Sequence, residues 1–317
     1  MRWGSRSRTG PDVDLSVVIG SVRLPNPVMT ASGTAGHSTE LGAYLDLASL
    51  GAVVVKSLSA DPWAGNPPLR VHQTPAGMIN SVGLQGPGIA AWLTDELPEL
   101  VATGARVVVS IWGRSVDEYR RTAEMLADAP AEVLAVEVNL SCPNLGGHGI
   151  FAQSAADSAA VIAATAGCGR PRWAKLTPLV TDLPAIAGAV LDAGAEAVTL
   201  TNTVPALALD PTTRRSRLGG GMGGLSGPAI HPIAVRAVYD CRAAHPDAPI
   251  IGVGGVARGV DAIELMLAGA DAVQVGTASF ADPRACATVL DEITTWCRDN
   301  GVRRVAELTG AAHDHLG

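Results

Sequence analysis

Short runs of apolar, often β-branched residues alternate along the chain with longer stretches rich in Ala and Leu. The short runs predict eight strands, and the longer stretches predict amphipathic helices between them. The predicted strands are Pro27–Ala31, Ala52–Lys56, Arg106–Ile111, Leu134–Asn139, Arg172–Leu176, Ala197–Thr201, Pro249–Val253 and Asp271–Val275. The predicted helices include Ser115–Ala127, Ala155–Ala166, Leu183–Ala193, Ala229–Ala243 and Gly259–Leu267.

The predicted strands are apolar almost throughout, which is typical of parallel strands that are buried on both faces. Eight strand–helix units in succession predict an α/β fold whose sheet closes into a (β/α)8 TIM barrel. Six or seven units would fit a doubly wound open sheet equally well. The choice between the two folds therefore depends on the strand count.

Two connections that follow predicted strands are too long for simple turns. One runs from Ser57 to Gly104 and is rich in Pro and Gly, and the other runs from Asn202 to about Gly227. Because extended loops after barrel strands lie on the C-terminal, catalytic face, we expect both to build a substrate site or a lid. No stretch resembles a linker. We therefore predict one barrel domain over residues 14–317, preceded by a disordered N-terminal tail over residues 1–13.

Composition narrows the classes of function. The 317 residues carry a formal net charge of −7, so the chain offers no basic surface for nucleic acid. No apolar stretch approaches the roughly 18–20 residues that a membrane span needs. The cysteines are scattered, which argues against a disulfide framework and against a zinc site. We expect reduced thiols, a cytoplasmic location, and no metal, nucleic-acid or membrane partner. The five cysteines are Cys142, Cys168, Cys241, Cys286 and Cys297.

Polar side chains appear where the apolar strands end. Lys56, Asn139 and Lys175 each stand at or beside the end of a predicted strand, and Thr201-Asn202-Thr203 follows another. Barrel enzymes place their reacting groups at these ends, so we expect the side chains to converge on one pocket. The alternative is that each lysine only extends from a strand end into water. Two lysines beside several asparagines favour a functional site.

Glycines follow the last two predicted strands, at Gly252–Gly255 and at Gly276 before Thr277. Glycine lets backbone N–H groups approach a phosphate, and barrels often bind phosphate after strands seven and eight. Tight turns need glycine as well, so either pair alone is a weak signal. Together they favour a cofactor that carries a phosphate. Their spacing differs from the Gly-x-Gly-x-x-Gly dinucleotide motif.

Cys142 lies just past the fourth predicted strand, between Ser141 and Pro143. Most cysteines are inert and buried, but a position in a polar loop on the catalytic face argues against burial. A free thiol has a pKa of about 8.5, which suits proton transfer after modest tuning by its surroundings. Cys142 is therefore a candidate catalytic base.

Six motifs in this order resemble the class 1 dihydroorotate dehydrogenases, from about Leu24 to Pro283. The resemblance implies a TIM barrel that binds FMN and oxidises dihydroorotate to orotate in pyrimidine biosynthesis. The motifs are Asn26–Thr34, Asn80–Gln85, Asn139–Asn144, Leu200–Thr203, Gly223–Ala229 and Gly252–Gly255 with Gly276-Thr277.

The resemblance also implies roles for single residues. The expected catalytic residues are Cys142 and Lys56. Cys142 takes a proton from C5 while a hydride passes from C6 to flavin N5, and Lys56 contacts both flavin and substrate. Ser110 stands where the family is expected to have an asparagine that contacts the flavin. The expected FMN contacts are Ala31, Ser32, Lys56, Ser57, Ser110, Asn139, Lys175, Thr201, Gly227, Gly254, Gly255, Gly276 and Thr277. The expected substrate contacts are Lys56, Asn80, Ser81, Val82, Gly83, Leu84, Asn139, Asn144, Asn202 and Thr203.

The loop Leu145–Phe151 is similar to that of the 1B subclass, which passes electrons to a separate iron–sulfur flavoprotein subunit. A homodimeric core is expected from the same resemblance. Three other functions stay open from the sequence. The first is reduction of uracil or thymine, as in dihydropyrimidine dehydrogenase, although Asn144 favours orotate. The second is a flavin-binding paralogue without activity. The third, which fewer features support, is a barrel enzyme that acts on a sugar phosphate without flavin.

Overall fold

The structure is a computed structural model that describes residues 13–140 and 150–314. Most of the predicted tail (residues 1–12) therefore lies outside the described residues, and Val13 packs against the core. The strands are β1 (Val17–Ile19), β2 (Val22–Leu24), β3 (Val28–Thr30), β4 (Val53–Val54), β5 (Val71–Thr74), β6 (Gly77–Asn80), β7 (Val107–Ile111), β8 (Val133–Asn139), β9 (Arg172–Leu176), β10 (Ala197–Leu200), β11 (Val204–Ala206), β12 (Leu209–Asp210), β13 (Arg215–Ser216), β14 (Gly223–Ser226), β15 (Ile250–Val253) and β16 (Ala272–Val275).

Eight of these strands form one parallel sheet in the order β3-β16-β15-β10-β9-β8-β7-β4. A parallel bridge between Met29 and Ala52 joins the two ends of this order, so the sheet closes on itself. Each of the eight predicted strands is present, with ends that differ by no more than three residues. The prediction of a (β/α)8 barrel is confirmed. Apolar side chains are buried on both faces of the strands, as expected for a barrel wrapped by helices.

Along the chain, the α-helices lie between the barrel strands, except for the last two, which follow β16. They are α1 (Ile89–Ala91), α2 (Leu97–Ala102), α3 (Val116–Glu124), α4 (Ala155–Ala164), α5 (Leu183–Asp192), α6 (His231–Ala244), α7 (Gly259–Ala268), α8 (Ala278–Ala281) and α9 (Ala285–Asp299). Three of them begin at a side-chain cap, because Ser115, Ser154 and Asp182 each accept a hydrogen bond from a backbone N–H in the first turn. No helix in the described residues is both long and apolar enough to cross a membrane.

The two long connections predicted as loops contain strands and pair with each other. β5 and β6 come from the first connection, β11 and β14 from the second, and together they form an antiparallel sheet in the order β11-β14-β6-β5. Asn80 stands opposite Gly224 in this sheet. The sequence did not predict these strands because they are short and lack a regular alternation of apolar and polar residues, and three of them contain Gly or Pro.

We expect Gly77→Ala to weaken the pairing of β6 with β14, which joins the two long connections. A Cβ at Gly77 would lie 1.9 Å from the backbone oxygen of Ser226, so β6 and β14 would have to move apart. The free energy of unfolding in urea should fall by about 1–3 kcal/mol, the usual cost of overpacking. Gly42→Ala is the control, because its Cβ would meet only ordinary contacts, the nearest at 3.6 Å. Equal stability of the two variants would contradict this account of the sheet.

Candidate active site

A cavity that is partly open to solvent lies at the carboxyl ends of the barrel strands. The four-stranded sheet contributes Val71, Met78, Asn80, Gly224 and Ser226 to its lining, so both long connections reach it. The remaining lining residues are Ala31, Ser32, Gly33, Thr34, Lys56, Ser57, Val82, Gly83, Leu84, Asn139, Lys175, Thr201, Asn202, Thr203, Gly227, Ile230, Val253, Gly254, Gly255, Gly276, Thr277 and Phe280.

The structure brings most of the predicted site residues to this cavity. Cys142 and Asn144 lie outside the described residues, and two described residues do not line the cavity. Ser110 is buried behind Ser57, with 2.9 Å between the two hydroxyl oxygens. Ser81 is buried and accepts a hydrogen bond from an amide of the neighbouring loop. Every other predicted residue lines the cavity.

Asparagine side chains are held in fixed orientations at the cavity. The Asn202 amide donates to Asn139 Oδ1 at 3.1 Å, and its oxygen accepts from the backbone N–H of Thr203 at 2.8 Å. Asn139 also donates to Ser57 Oγ at 3.4 Å, while Asn80 donates to the Gly224 carbonyl at 3.3 Å. These bonds determine which end of each amide faces the cavity. The asparagines therefore offer a fixed pattern of donors and acceptors to a polar ligand.

The loop after β6 is held against the first connection by polar contacts. Trp63 donates from its indole nitrogen to the Gly83 carbonyl at 3.0 Å, and the backbone N–H of Asn66 donates to the Val82 carbonyl at 3.0 Å. Leu84 is buried with a φ of 63°, in the left-handed region that a branched side chain rarely adopts. The surrounding contacts hold this backbone in place, so the loop has its shape before a ligand binds.

Lys175 lies at the bottom of the cavity in a polar cluster. Its ammonium is 3.1 Å from Glu137 Oε1, 3.1 Å from Ser32 Oγ and 3.3 Å from Gln274 Oε1. A second lysine, Lys56, lines the cavity beside Gly33. Burial, and then the positive charge of Lys56, lower the pKa of His37, so this histidine is neutral at pH 7.

Two glycines after β15 line the cavity and pack closely against α6. Gly255 has a φ of 73°, and a Cβ there would lie 2.6 Å from His231 Cβ. A Cβ at Gly254 would lie 2.7 Å from Ala234 Cβ. Only glycine fits either position, because a Cβ would collide with α6. Both glycines line the cavity, and glycine turns of this kind can offer backbone N–H groups to a phosphate. In the same cavity, the buried hydroxyl of Thr201 has no hydrogen-bond partner among the described residues. A ligand oxygen or nitrogen would satisfy it.

The described cysteines are poor candidates for proton transfer. Cys168, Cys241, Cys286 and Cys297 are buried. Burial raises the pKa of Cys241 and of Cys286 to about 12, and it also raises the pKa of the other two. These thiols stay protonated at neutral pH.

Sequence reasoning missed Glu137 and Gln274, which contact Lys175 but do not line the cavity. Both stand inside predicted strands that are otherwise apolar. A charged or amide side chain in the middle of a buried strand is itself a signal, because such a group needs a partner there. The apolar lining residues Met78 and Phe280 carried no comparable signal.

Comparison with known proteins agrees with this geometry. The sequence model of the family described as Dihydroorotate dehydrogenase matches residues 14–296. A protein of Desulforudis audaxviator (strain MP104C), named dihydroorotate dehydrogenase B (NAD(+)), catalytic subunit, is 48% identical over 303 residues, covering 95% of this chain and 98% of the relative. A protein of the same name from Geotalea uraniireducens (strain Rf4) is 44% identical over 300 residues, covering 94% of this chain and 98% of the relative. With similarity of this length and degree, over a barrel whose strand ends hold lysines and asparagines in one cavity, the chain belongs to the dihydroorotate dehydrogenase family.

Proposed function

We propose that the protein oxidises dihydroorotate to orotate in pyrimidine biosynthesis, with FMN bound at the carboxyl ends of the barrel strands. The observation that carries the proposal is the combination of two kinds of lining residue in one cavity. Lys175, Thr201 and the glycine loops suit a flavin with its phosphate, and the asparagines suit a flat polar ring. The family to which the chain belongs supports the same reaction.

The proposed substrate residues match the chemistry of dihydroorotate. Each amide of Asn80, Asn139 and Asn202 can donate to a ring carbonyl and accept from a ring N–H. Lys56 supplies a positive charge that suits a carboxylate, the group that distinguishes dihydroorotate from dihydrouracil. Val82, Gly83, Leu84 and Thr203 line the same cavity, and Ser81 shapes the loop from behind. Asn144 completes the proposed set from the sequence alone.

The described residues fit FMN. Thr201 brings a buried hydroxyl that has no partner among the described residues, and Gly254 and Gly255 form a glycine turn at the cavity that can offer backbone N–H groups to a phosphate. Lys175 brings a positive charge to the bottom of the cavity. Bound there, FMN would supply the acceptor for the hydride that leaves C6 of the substrate. The other proposed FMN contacts are Ala31, Ser32, Lys56, Ser57, Ser110, Asn139, Gly227, Gly276 and Thr277, of which Ser110 would act through Ser57.

We propose Cys142 as the base that takes the C5 proton. This assignment is supported by the sequence motif Asn139–Asn144, which follows directly from β8. Asn139, the first residue of the motif, lines the cavity, so the chain leaves β8 at the proposed site. The role of Lys56 is to hold the substrate beside the base.

The electron acceptor is proposed to be NAD⁺, reached through a separate iron–sulfur flavoprotein subunit. The names of the relatives support NAD⁺ as the acceptor and the existence of a separate subunit, because they read "NAD(+)" and "catalytic subunit". The iron–sulfur flavoprotein is proposed from the resemblance of the loop Leu145–Phe151. Val71 and Phe280 support a partner subunit as well, because they are 54% and 58% exposed and line both the cavity and a neighbouring, mainly apolar hollow. Exposed apolar surface of this kind is typical of interaction sites. A homodimeric core and a cytoplasmic location remain proposals from the sequence.

We expect dihydroorotate, added without oxygen, to bleach the flavin of the purified protein. Dihydrouracil should not do so, because it lacks the carboxylate. NAD⁺ should then reoxidise the flavin rapidly only when the partner subunit or a cell extract is present, while fumarate and quinone should react slowly. The visible absorption spectrum follows both steps. Bleaching by dihydrouracil alone would overturn the substrate, and a protein that stays colourless after reconstitution with FMN would overturn the cofactor.

Cys142→Ala should keep FMN but slow flavin reduction by dihydroorotate by roughly two to four orders of magnitude at neutral pH, the usual contribution of a general base. Stopped-flow absorbance measures this rate. Cys241→Ala is the matched control, since burial raises the pKa of that thiol to about 12 and its loss should leave the rate unchanged. A wild-type rate in Cys142→Ala would remove this residue from the mechanism.

Asn202→Ala should weaken orotate binding without loss of FMN. The substitution leaves the ligand and Asn139 without one partner each, which costs roughly 1–3 kcal/mol, or about 5- to 150-fold in the dissociation constant. Titration of the flavin spectrum with orotate gives this constant. Asn300→Ala, at the exposed end of α9, should bind orotate as the wild type does. Equal affinity in both variants would exclude Asn202 from the substrate site.

A further inference from the structure

Three polar side chains form a closed ring inside the barrel. Lys175 of β9 donates to Glu137 Oε1 of β8 at 3.1 Å and to Gln274 Oε1 of β16 at 3.3 Å. The ring closes where Gln274 Nε2 donates to Glu137 Oε2 at 2.6 Å. Two strands separate β16 from β9 in the sheet, so these contacts cross the interior of the barrel. Glu137 and Gln274 are fully buried.

Each member of the ring has one arrangement that satisfies it. A lysine ammonium has three N–H donors, and here they meet Glu137, Gln274 and Ser32. The Gln274 amide must direct its oxygen to the ammonium and its nitrogen to the carboxylate. Of the three acceptors, only Ser32 lines the cavity. A cavity ligand therefore reaches the ammonium on the side of Ser32, while the two buried partners stay in place.

We propose that Glu137 and Gln274 are positioning residues that set the charge which Lys175 presents to bound FMN. The inference rests on the proposed binding of FMN in this cavity. Glu137 neutralises the ammonium from behind, and Gln274 fixes the orientation of the carboxylate and the ammonium relative to each other. The flavin then meets a directed dipole rather than an isolated positive charge.

Single substitutions of Glu137 and Gln274 should change the net charge of the ring in opposite directions. In Glu137→Gln, every orientation of the two amides points at least one N–H at another donor, and the ammonium loses its balancing charge. In Gln274→Glu, two carboxylates face each other and the balance becomes negative. The double variant E137Q/Q274E restores every hydrogen bond and the net charge, with the carboxylate and the amide exchanged between strands.

Sulfite binding to FMN tests these predictions, because it bleaches the flavin and places negative charge on it. We expect E137Q to bind sulfite more tightly and Q274E to bind it more weakly, each by about tenfold, the effect of one unit charge at roughly 10 Å in protein. The double variant should return to within about threefold of the wild-type dissociation constant. The reduction potential of the flavin should rise in E137Q, fall in Q274E and return towards the wild-type value in the double variant.

Asp271→Asn is the matched control, because it breaks an ion pair with Arg242 at the far end of β16 and should lower the melting temperature without changing sulfite binding. Shifts of both single variants in the same direction, or unchanged sulfite binding in either one, would overturn the proposal. If one single variant does not fold, the other still has a predicted sign. A folded double variant without wild-type affinity would also contradict it. A wild-type protein that binds no FMN would instead overturn the proposed function.

Discussion

A lysine ammonium that is 96% removed from solvent needs its charge balanced within the protein, and Lys175, with 4% exposure, meets this need through Glu137. The two residues come from neighbouring strands whose register places Asn139 beside Lys175. Glu137 and Asn139 lie two residues apart in β8, so both point to the same side of the strand. The β8–β9 register that brings Glu137 to the buried Lys175 therefore also fixes where Asn139 lies along the barrel axis, at the cavity.

Other residues of the site lie beside Lys175 and Asn139 at the carboxyl ends of neighbouring strands. Thr199 pairs with Lys175 in the next strand, and Thr201 follows two residues later at the cavity. The amides of Asn139 and Asn202 then contact each other across the strand ends. These strand-end residues, Asn139, Lys175, Thr201 and Asn202, form the floor of the cavity. The four-stranded sheet forms its cover and contributes Asn80. The floor comes from regular parallel pairing and the cover from two connections that are distant in sequence.

The sequence predicted the floor better than the cover. Apolar strands of regular length gave the barrel, and polar residues at their ends, such as Asn139 and Lys175, identified the cavity. The strands of the four-stranded sheet carry no regular apolar pattern, and its central pair, β6 with β14, joins segments more than a hundred residues apart. Glu137 and Gln274 were missed because periodicity describes which face is buried and not which buried groups meet. The assignments of Cys142 and Asn144 depend on family resemblance, and both lie outside the described residues.

The antiparallel sheet over the cavity has a consequence for how specificity changes within the family. β6 carries Asn80 and pairs with β14, so the residues that cover the cavity belong to one hydrogen-bonded unit drawn from two distant parts of the sequence. If only one of the two connections were exchanged between relatives, its strand would have to pair with a strand that evolved beside a different sequence. Chimeras that retain a working cavity should therefore inherit residues 71–80 and 204–226 from the same parent.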